Sequence, residues 1–419
     1  AAVNLRAADS ASFAKAAKAD EGYLLKSISP DGTLEFRAVR SHLAFVDAVQ
    51  NLEDALALFA RAETCATTIT VTESGYTFNE DWSLDLDAPS IQADLSATHP
   101  QTIYGFLALA LKRRMQTANA PMTIMCCDNI RNNGRVLEGA LMTYLSAAGE
   151  HDLRRWTEDN VSFPCSMVDR ITPRATPALH DEVAGLFPNY RSAPIHAEAF
   201  SQWVLQEKFA SKIPDLTRSG VQVVTNVVPY EEAKIRILNG GHTGLAYLGA
   251  LAGHETFDQA ILDPRLRRHY DAWEREEVLP GLGDGIPFDK VKYLSEVSAR
   301  FENPGIADQL ERICMDGYSK MGIYIRPTLE ACLAQGITPK AGYDCAASWV
   351  VFARRVYAGQ LPMAYFEPFE EVLRPMLALG AEESVARDPV LWGDLPTKYA
   401  GFVPDLTEAI QQMEQTWQA

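Results

Sequence analysis

The first half of the chain alternates short β-rich runs with segments of helical periodicity. TTITV (67–71), TIMCC (123–127), FPCSMVDRI (163–171) and VQVVTNVV (221–228) are dense in apolar and β-branched residues and read as strands. Between them, HLAFVDAVQNLEDALALFARA (42–62), TIYGFLALALKRRMQ (102–116) and GRVLEGALMTYLSAAG (134–149) repeat apolar residues at helical spacing. This alternation predicts βαβ units, a mostly parallel sheet covered by helices. After Pro229 the pattern changes to long apolar-periodic stretches broken by Pro and Gly: 231–253, 263–279, 306–322, 343–359 and 406–417. The expectation is an α/β half up to about residue 228 followed by an all-α half.

Ligands of open α/β sheets sit beyond the carboxyl ends of the strands. Three such ends carry polar residues: Thr72, Glu73 and Ser74 after the first strand, Asp128 and Asn129 after the second, and Asp169 and Arg170 within SMVDRITP. Strand ends are polar wherever loops are solvated, so each residue alone carries little.

Composition narrows the function. With 419 residues and 47% hydrophobic content, the chain can bury a large core. A net charge of -17 repels nucleic acid and anionic membranes, which leaves small-molecule chemistry as the expectation. No apolar run approaches the roughly 18 residues of a membrane span, and AAVNLRAADS lacks the regions of a signal peptide. The seven cysteines (65, 126, 127, 165, 314, 332 and 345) form no CxxC pair and no Cys/His zinc spacing, so a reduced cytoplasmic protein without a metal is expected.

The densest chemistry lies in EEAKIRILNGGHTGLAYLG (231–249). On one uninterrupted α-helix, Glu231, Lys234, Asn239 and His242 fall within an arc of about 140° on a face otherwise apolar. A desolvated lysine loses its preference for the charged form, and its pKa falls from about 10.4 toward the operating pH. Lys234 is therefore a candidate general base for an alcohol proton, with Asn239 and Asn129 as carboxamide donors to the oxygen. Glu231 would relay the proton to water, although its charge opposes the fall in the lysine pKa. A buried ion pair with a satisfied histidine and an asparagine at a Gly-Gly break fits the same residues.

TESGY (72–76), CDN followed by NNG (127–134), SMVDRITP (166–173), the K-x4-N-x2-H run from Lys234 to His242 with its continuation GLAYLG, RFENP (300–304) and DGYSK (316–320) together resemble the polyol-specific long-chain, or mannitol dehydrogenase, family over nearly the whole chain. The resemblance implies an α/β Rossmann-type N-terminal domain (1–228) that binds NAD, followed by a mostly α-helical C-terminal domain (229–419) that binds substrate. It implies zinc-independent oxidation of a secondary alcohol of a linear polyol, such as mannitol or arabinitol, to the ketose, and the reverse. Lys234 is then the base, and Asn239 and Asn129 form the oxyanion site. His242 contacts substrate hydroxyls, Asp169 lies beside the substrate and Glu231 serves proton passage. Arg312 and Lys320 correspond, by spacing, to cations that approach the substrate. Thr72, Glu73 and Asn129 would line the cofactor.

The Gly-rich GxGxFxRGH turn of that family does not occur, and GLGDG (281–285) follows Pro280 as a loop. The expectation is that a segment preceding Ala1 carries the turn. Asp9, shortly after AAVNL, is the candidate acid for the adenosine ribose diol, which favours NAD over NADP; it equally suits the N-cap of SASFAKAAKA. Three rival readings stand beside this one. Tyr230-x3-Lys234 matches the pair of short-chain dehydrogenases. A hexuronate reductase would need Arg312, Lys320 or Arg170 as carboxylate anchor. A catalytically silent NAD- or sugar-binding sensor would keep the fold alone. The partners expected are a polyol or ketose, with the chain a monomer or small homo-oligomer.

Overall fold

The computed structural model describes residues 1–19, 22–79, 83–96, 99–173, 175–189, 191 and 193–418, the side chains of Glu73, Ser74 and Gln418 excepted. It divides into two compact units, Ala1–Ser27 with Leu34–Val228, and Ile28–Thr33 with Pro229–Ala419.

Among the described residues every strand ends before residue 225: β1 (Ala2–Asn4), β2 (Tyr23–Ile28), β3 (Leu34–Val39), β4 (Phe45–Asp47), β5 (Ala66–Ile69), β6 (Met122–Cys126), β7 (Val161–Ser162), β8 (Ser166–Asp169), β9 (Ile195–Glu198), β10 (Gln202–Gln206) and β11 (Gln222–Val224). Among the described residues the strands form four small sheets where a single one was expected: β1-β4, β5-β6-β7, β11-β10-β8 and β3-β2-β9. β1 and β4, β5 and β6, and β6 and β7 pair in parallel, as βαβ units require. β10 pairs in parallel with β11 but antiparallel with β8. Periodicity marks which residues are extended; it does not choose their partners.

Two boundaries also differ from expectation. The run 42–62 is not one helix: Phe45–Asp47 pairs with Ala2–Asn4, and the helix starts only at Leu52, capped by Asn51, whose side chain accepts from the Asp54 amide. The run 221–228 is extended only over Gln222–Val224, since Asn226 accepts from the Val228 amide and a helix begins there.

In the first unit the helix Ile103–Gln116 buries Ile103, Tyr104, Leu107 and Leu111, the helical stripe read from the sequence. Its N-cap, Thr102, is itself held by Asp94, which accepts from the Thr102 amide (2.9 Å) and hydroxyl (2.6 Å). In the second unit the helix Lys340–Tyr357 packs against Gly241–Leu251 and Phe402–Gln418. The GLAYLG segment lies wholly inside this core. Its glycines permit close packing: a Cβ on Gly244 would stand 2.6 Å from Cys345 Sγ, and one on Gly249 2.7 Å from Ala260 Cβ. Glu277 caps the Lys340 helix by accepting from the Ala341 (2.6 Å) and Gly342 (2.9 Å) amides, and burial pushes its carboxyl up to about 7.

The helices of the second unit are interrupted. Lys234–Gly240, Trp273–Val278 and Met321–Ile325 are π-helical, and the first packs against both of the others. The single helix expected over 231–253 is therefore Val228–Ala233, then an under-wound π segment, then Gly241–Leu251. Closure at i→i+5 turns less per residue than an α-helix, so the 140° arc does not carry over. The under-winding rotates Asn239 and His242 relative to Glu231 and Lys234. Such bulges are frequent at functional sites.

Candidate functional site

The candidate residues fall on both units. In the first unit, β6 ends at Cys126 and its carboxyl end carries Asp128 and Asn129. Asp128 is buried, and its carboxylate accepts from the Val71 amide (3.1 Å), the Thr72 amide (2.9 Å) and the Tyr76 hydroxyl (2.5 Å). It thereby fixes the TESGY turn that follows β5. Thr72 sits at φ 64, a rare conformation for a β-branched residue. Tyr76 is fully buried, its hydroxyl 2.9 Å from Cys126 Sγ, and its own carbonyl accepts from Tyr104 (2.8 Å). Burial, with the Asp128 and Cys126 groups beside it, raises the phenol above its ordinary range, and burial pushes the Cys126 thiol up to about 12. Both stay protonated at neutral pH.

Asn133, of the NNG motif, clamps the same strand ends. Its amide donates to the carbonyls of Cys126 (3.2 Å), Asp128 (3.0 Å) and Ser166 (2.8 Å), and its oxygen accepts from the Ser166 amide (2.9 Å). The carboxyl end of β6, just before Asn129, is thus tied to the start of β8 at Ser166, three residues before Asp169. Asn129 is exposed, and Asp169, at the end of β8, is buried. Arg170 donates through Nε (3.0 Å) and Nη2 (2.9 Å) to the Glu198 carbonyl, so its guanidinium braces β9. Asp9 stands at the N-cap position of Ser10–Ala17 but makes no side-chain cap bond; its half-exposed carboxylate lies 3.5 Å from Arg6. The Glu73 and Ser74 side chains lie outside the described residues.

In the second unit Glu231 and Lys234 are buried, at 5% and 7% exposure, where the first helix passes into its π segment. Asn239 is half-buried within that segment, and His242 is the second residue of the next helix. The His242 ring stacks on Phe301 (5.2 Å) and meets Phe257 edge-on (4.3 Å). Its Nε2 is 3.7 Å from Asp308 Oδ2. Burial lowers the imidazole pKa to about 4 despite Asp308, with Arg312, Lys320 and Arg300 acting in the same direction as burial. His242 is therefore neutral at pH 7, with one nitrogen donating and one accepting.

Arg312 pairs with Asp308 through Nε (2.9 Å) and Nη2. Lys320 is half-buried, and its Nζ donates to the carbonyls of Ile313 (2.8 Å) and Met315 (2.6 Å); desolvation lowers its pKa. The second unit thus brings His242, Arg312 and Lys320 into one electrostatic group. Asp308 at its centre carried no motif, although its i,i+4 spacing to Arg312 was a readable signal. Asp128 and Asn133 stood inside recognised motifs, but which backbone groups they hold is set by strand neighbours far apart in sequence.

His242 and His269 share a consequence for stability. His269, with Nε2 3.4 Å from Cys345 Sγ, is also lowered to about 4 by burial. For both rings the folded pKa lies below the ordinary value of 6.5. The unfolded chain takes up the proton first, so their contribution is complete above about 6.5 and is lost as pH falls toward 4. At pH 5 each ring should withdraw on the order of 2 kcal/mol. The melting temperature is expected to fall between pH 7 and pH 5, and His269→Gln should make that fall shallower; an identical fall in the variant would mean that His269 is not held neutral.

Among the described residues no group of three or more His, Cys, Asp and Glu side chains is arranged to hold a metal ion, and no helix is long and apolar enough to cross a membrane. Comparison with known proteins covers nearly the whole chain. The mannitol dehydrogenase Rossmann domain matches residues 19–218, and the mannitol dehydrogenase C-terminal domain matches 226–416. D-arabinitol 4-dehydrogenase of Klebsiella pneumoniae is 35% identical over 392 residues, 93% of this chain and 85% of the relative. D-mannonate oxidoreductase of Escherichia coli is 38% identical over 275 residues, 65% of this chain and 56% of the relative. Among solved structures, mannitol 2-dehydrogenase of Pseudomonas fluorescens, in a ternary complex with NAD and D-mannitol, superposes with a TM-score of 0.84 at 28% identity, over 99% of this chain and 84% of that one. With two family models spanning both units and a relative above 30% identity, this chain is an oxidoreductase of the mannitol dehydrogenase family.

Proposed function

We propose that the protein is a zinc-independent, NAD-linked dehydrogenase that interconverts a linear polyol and its ketose, with Lys234 as the general base. The observation that carries this reading is the placement of Lys234: a buried amine, three residues after buried Glu231, at the first position of a π segment that continues into Asn239 and His242. The names of the arabinitol and mannitol relatives supply the substrate class, and the Pseudomonas complex supplies NAD.

The residues of this chain suit that cofactor. Asp9 offers a half-exposed carboxylate behind β1 for a ribose diol, and Thr72 and Asn129 stand at the carboxyl ends of the parallel strands β5 and β6, where nucleotides bind in such sheets. When bound, NAD accepts the hydrogen and electron pair that leave the carbinol carbon. Lys234 Nζ takes the hydroxyl proton as the C–O bond becomes a carbonyl, and Glu231 passes that proton to water. The carboxamides of Asn129 and Asn239 donate to the oxygen as negative charge builds on it, an interaction stronger in the transition state than in the ground state. Neutral His242 binds a neighbouring hydroxyl, and Asp169 accepts from another. In the reverse direction the same groups deliver the proton.

The test is a panel of D-arabinitol, D-mannitol, sorbitol, xylitol and D-mannonate with NAD and NADP. Polyol-dependent NADH formation is the expected result; a folded protein that binds NADH yet turns over no polyol would be the silent sensor instead. Asn239→Ala should lower kcat by about 10²- to 10³-fold, some 2 to 4 kcal/mol of barrier, with little change in the affinity for NADH. An unchanged kcat would remove Asn239 from the oxyanion site. The E. coli relative is named for a sugar acid, and the cations Arg312 and Lys320 beside His242 favour that second reading. Against it, both cations already have protein partners.

A further inference from the structure

Asp308 is buried at 8% exposure and has no part in the chemistry above. It follows Ala307, whose φ of 46 is rare for an alanine. The segment is pinned on both sides of the turn, because the Asp308 carbonyl accepts from the Phe257 amide (2.9 Å) and the Leu310 amide donates to the Glu255 carbonyl (2.9 Å). Local strain held in place by surrounding hydrogen bonds is a feature of functional sites. Here it directs a carboxylate between Arg312 and His242, its Oδ1 2.9 Å from Arg312 Nε and its Oδ2 3.7 Å from His242 Nε2.

We propose that the Asp308–Arg312 pair is a specificity device that admits neutral polyols and rejects sugar acids; the proposal rests on the reading of the chain as a polyol dehydrogenase and names the residues that set its substrate class. An arginine carries five N–H donors, and this one uses Nε and one Nη2 hydrogen on Asp308, which leaves three donors beside that pair on a guanidinium that is 61% exposed. A hydroxyl both donates and accepts, so it fits a pair that offers arginine donors beside carboxylate lone pairs. A carboxylate only accepts. To reach Arg312 it must approach Asp308, a like charge in a partly dry site, while the guanidinium it seeks is already neutralised. Lys320 does not compensate, since its ammonium already donates to the Ile313 and Met315 carbonyls.

Asp308→Asn removes the charge and keeps the shape. Relative to D-arabinitol, the kcat/KM for D-mannonate should rise at least tenfold in this variant, and D-mannonate with NADH should raise its melting temperature but not that of the wild type. Both gains should vanish in Asp308→Asn/Arg312→Gln, because the freed guanidinium is what captures the carboxylate. An unchanged substrate ratio with no melting response, a gain that survives loss of Arg312, or a wild type that already prefers D-mannonate would each overturn the proposal. A wild type that oxidises no polyol would defeat the parent reading instead, and the melting response, which needs no turnover, would still decide the role of Asp308.

Discussion

Lys234→Ala should reduce polyol oxidation by roughly two to four orders of magnitude in kcat, the range associated with loss of a positioned general base, while NADH binding and the far-ultraviolet spectrum stay near those of the wild type. The magnitude follows from where the amine is needed. Proton removal from a secondary alcohol and departure of hydrogen with its electron pair belong to one barrier, and without the base the alkoxide character must be supplied by water alone. KM should change far less than kcat, since the amine acts in the transition state and the hydroxyls are bound by other groups. Two further measurements separate this from a structural defect. Small primary amines added to Lys234→Ala should restore part of the rate in proportion to their basicity, and Lys234→Gln, which keeps a polar side chain of similar length, should not. A kcat within tenfold of the wild type in Lys234→Ala would end the assignment.

The motifs behind the proposed chemistry are easier to read in the sequence than the architecture around them. The K-x4-N-x2-H run, CDN and SMVDRITP are contiguous, so their residue types and spacing were readable. The α/β half and the helical half were readable from their different periods. The π segment at Lys234–Gly240 was not, because an extra residue per turn leaves apolar spacing almost unchanged over seven residues while rotating everything after it. The β3-β2-β9 sheet was missed for another reason. Its strands lie far apart in the chain, and Leu34–Val39 shows only a weak burial alternation, so nothing local marks it as a partner of Tyr23–Ile28. Asp128 and Asp308 illustrate the same limit at the level of single residues. In the sequence the first is one polar residue at a strand end and the second belongs to no motif, and each gains its meaning only from the groups its carboxylate holds.

Asp128→Ala is the second large effect expected, and it falls on stability and on nucleotide binding together. The carboxylate accepts from three donors, the Val71 and Thr72 amides and the Tyr76 hydroxyl, at a buried position. Truncation leaves those donors without their acceptor, in surroundings where a lost charged partner costs about 3 to 5 kcal/mol. For a unit of this size that corresponds to a fall in melting temperature of roughly 6 to 20 °C. The Thr72 amide, at φ 64, and the Val71 amide before it then lose the acceptor that holds the turn in an unfavourable conformation, so the turn should relax and NADH should bind more weakly. Asp128→Asn retains an acceptor oxygen and should fall between the two proteins in both measurements. Tyr76→Phe provides the control: it removes one donor and leaves the Val71 and Thr72 amides bonded, so it should lower the melting temperature by less and leave NADH affinity nearly intact. If Asp128→Ala melted as the wild type does while losing NADH, the carboxylate would be a direct cofactor ligand and not the anchor of the turn.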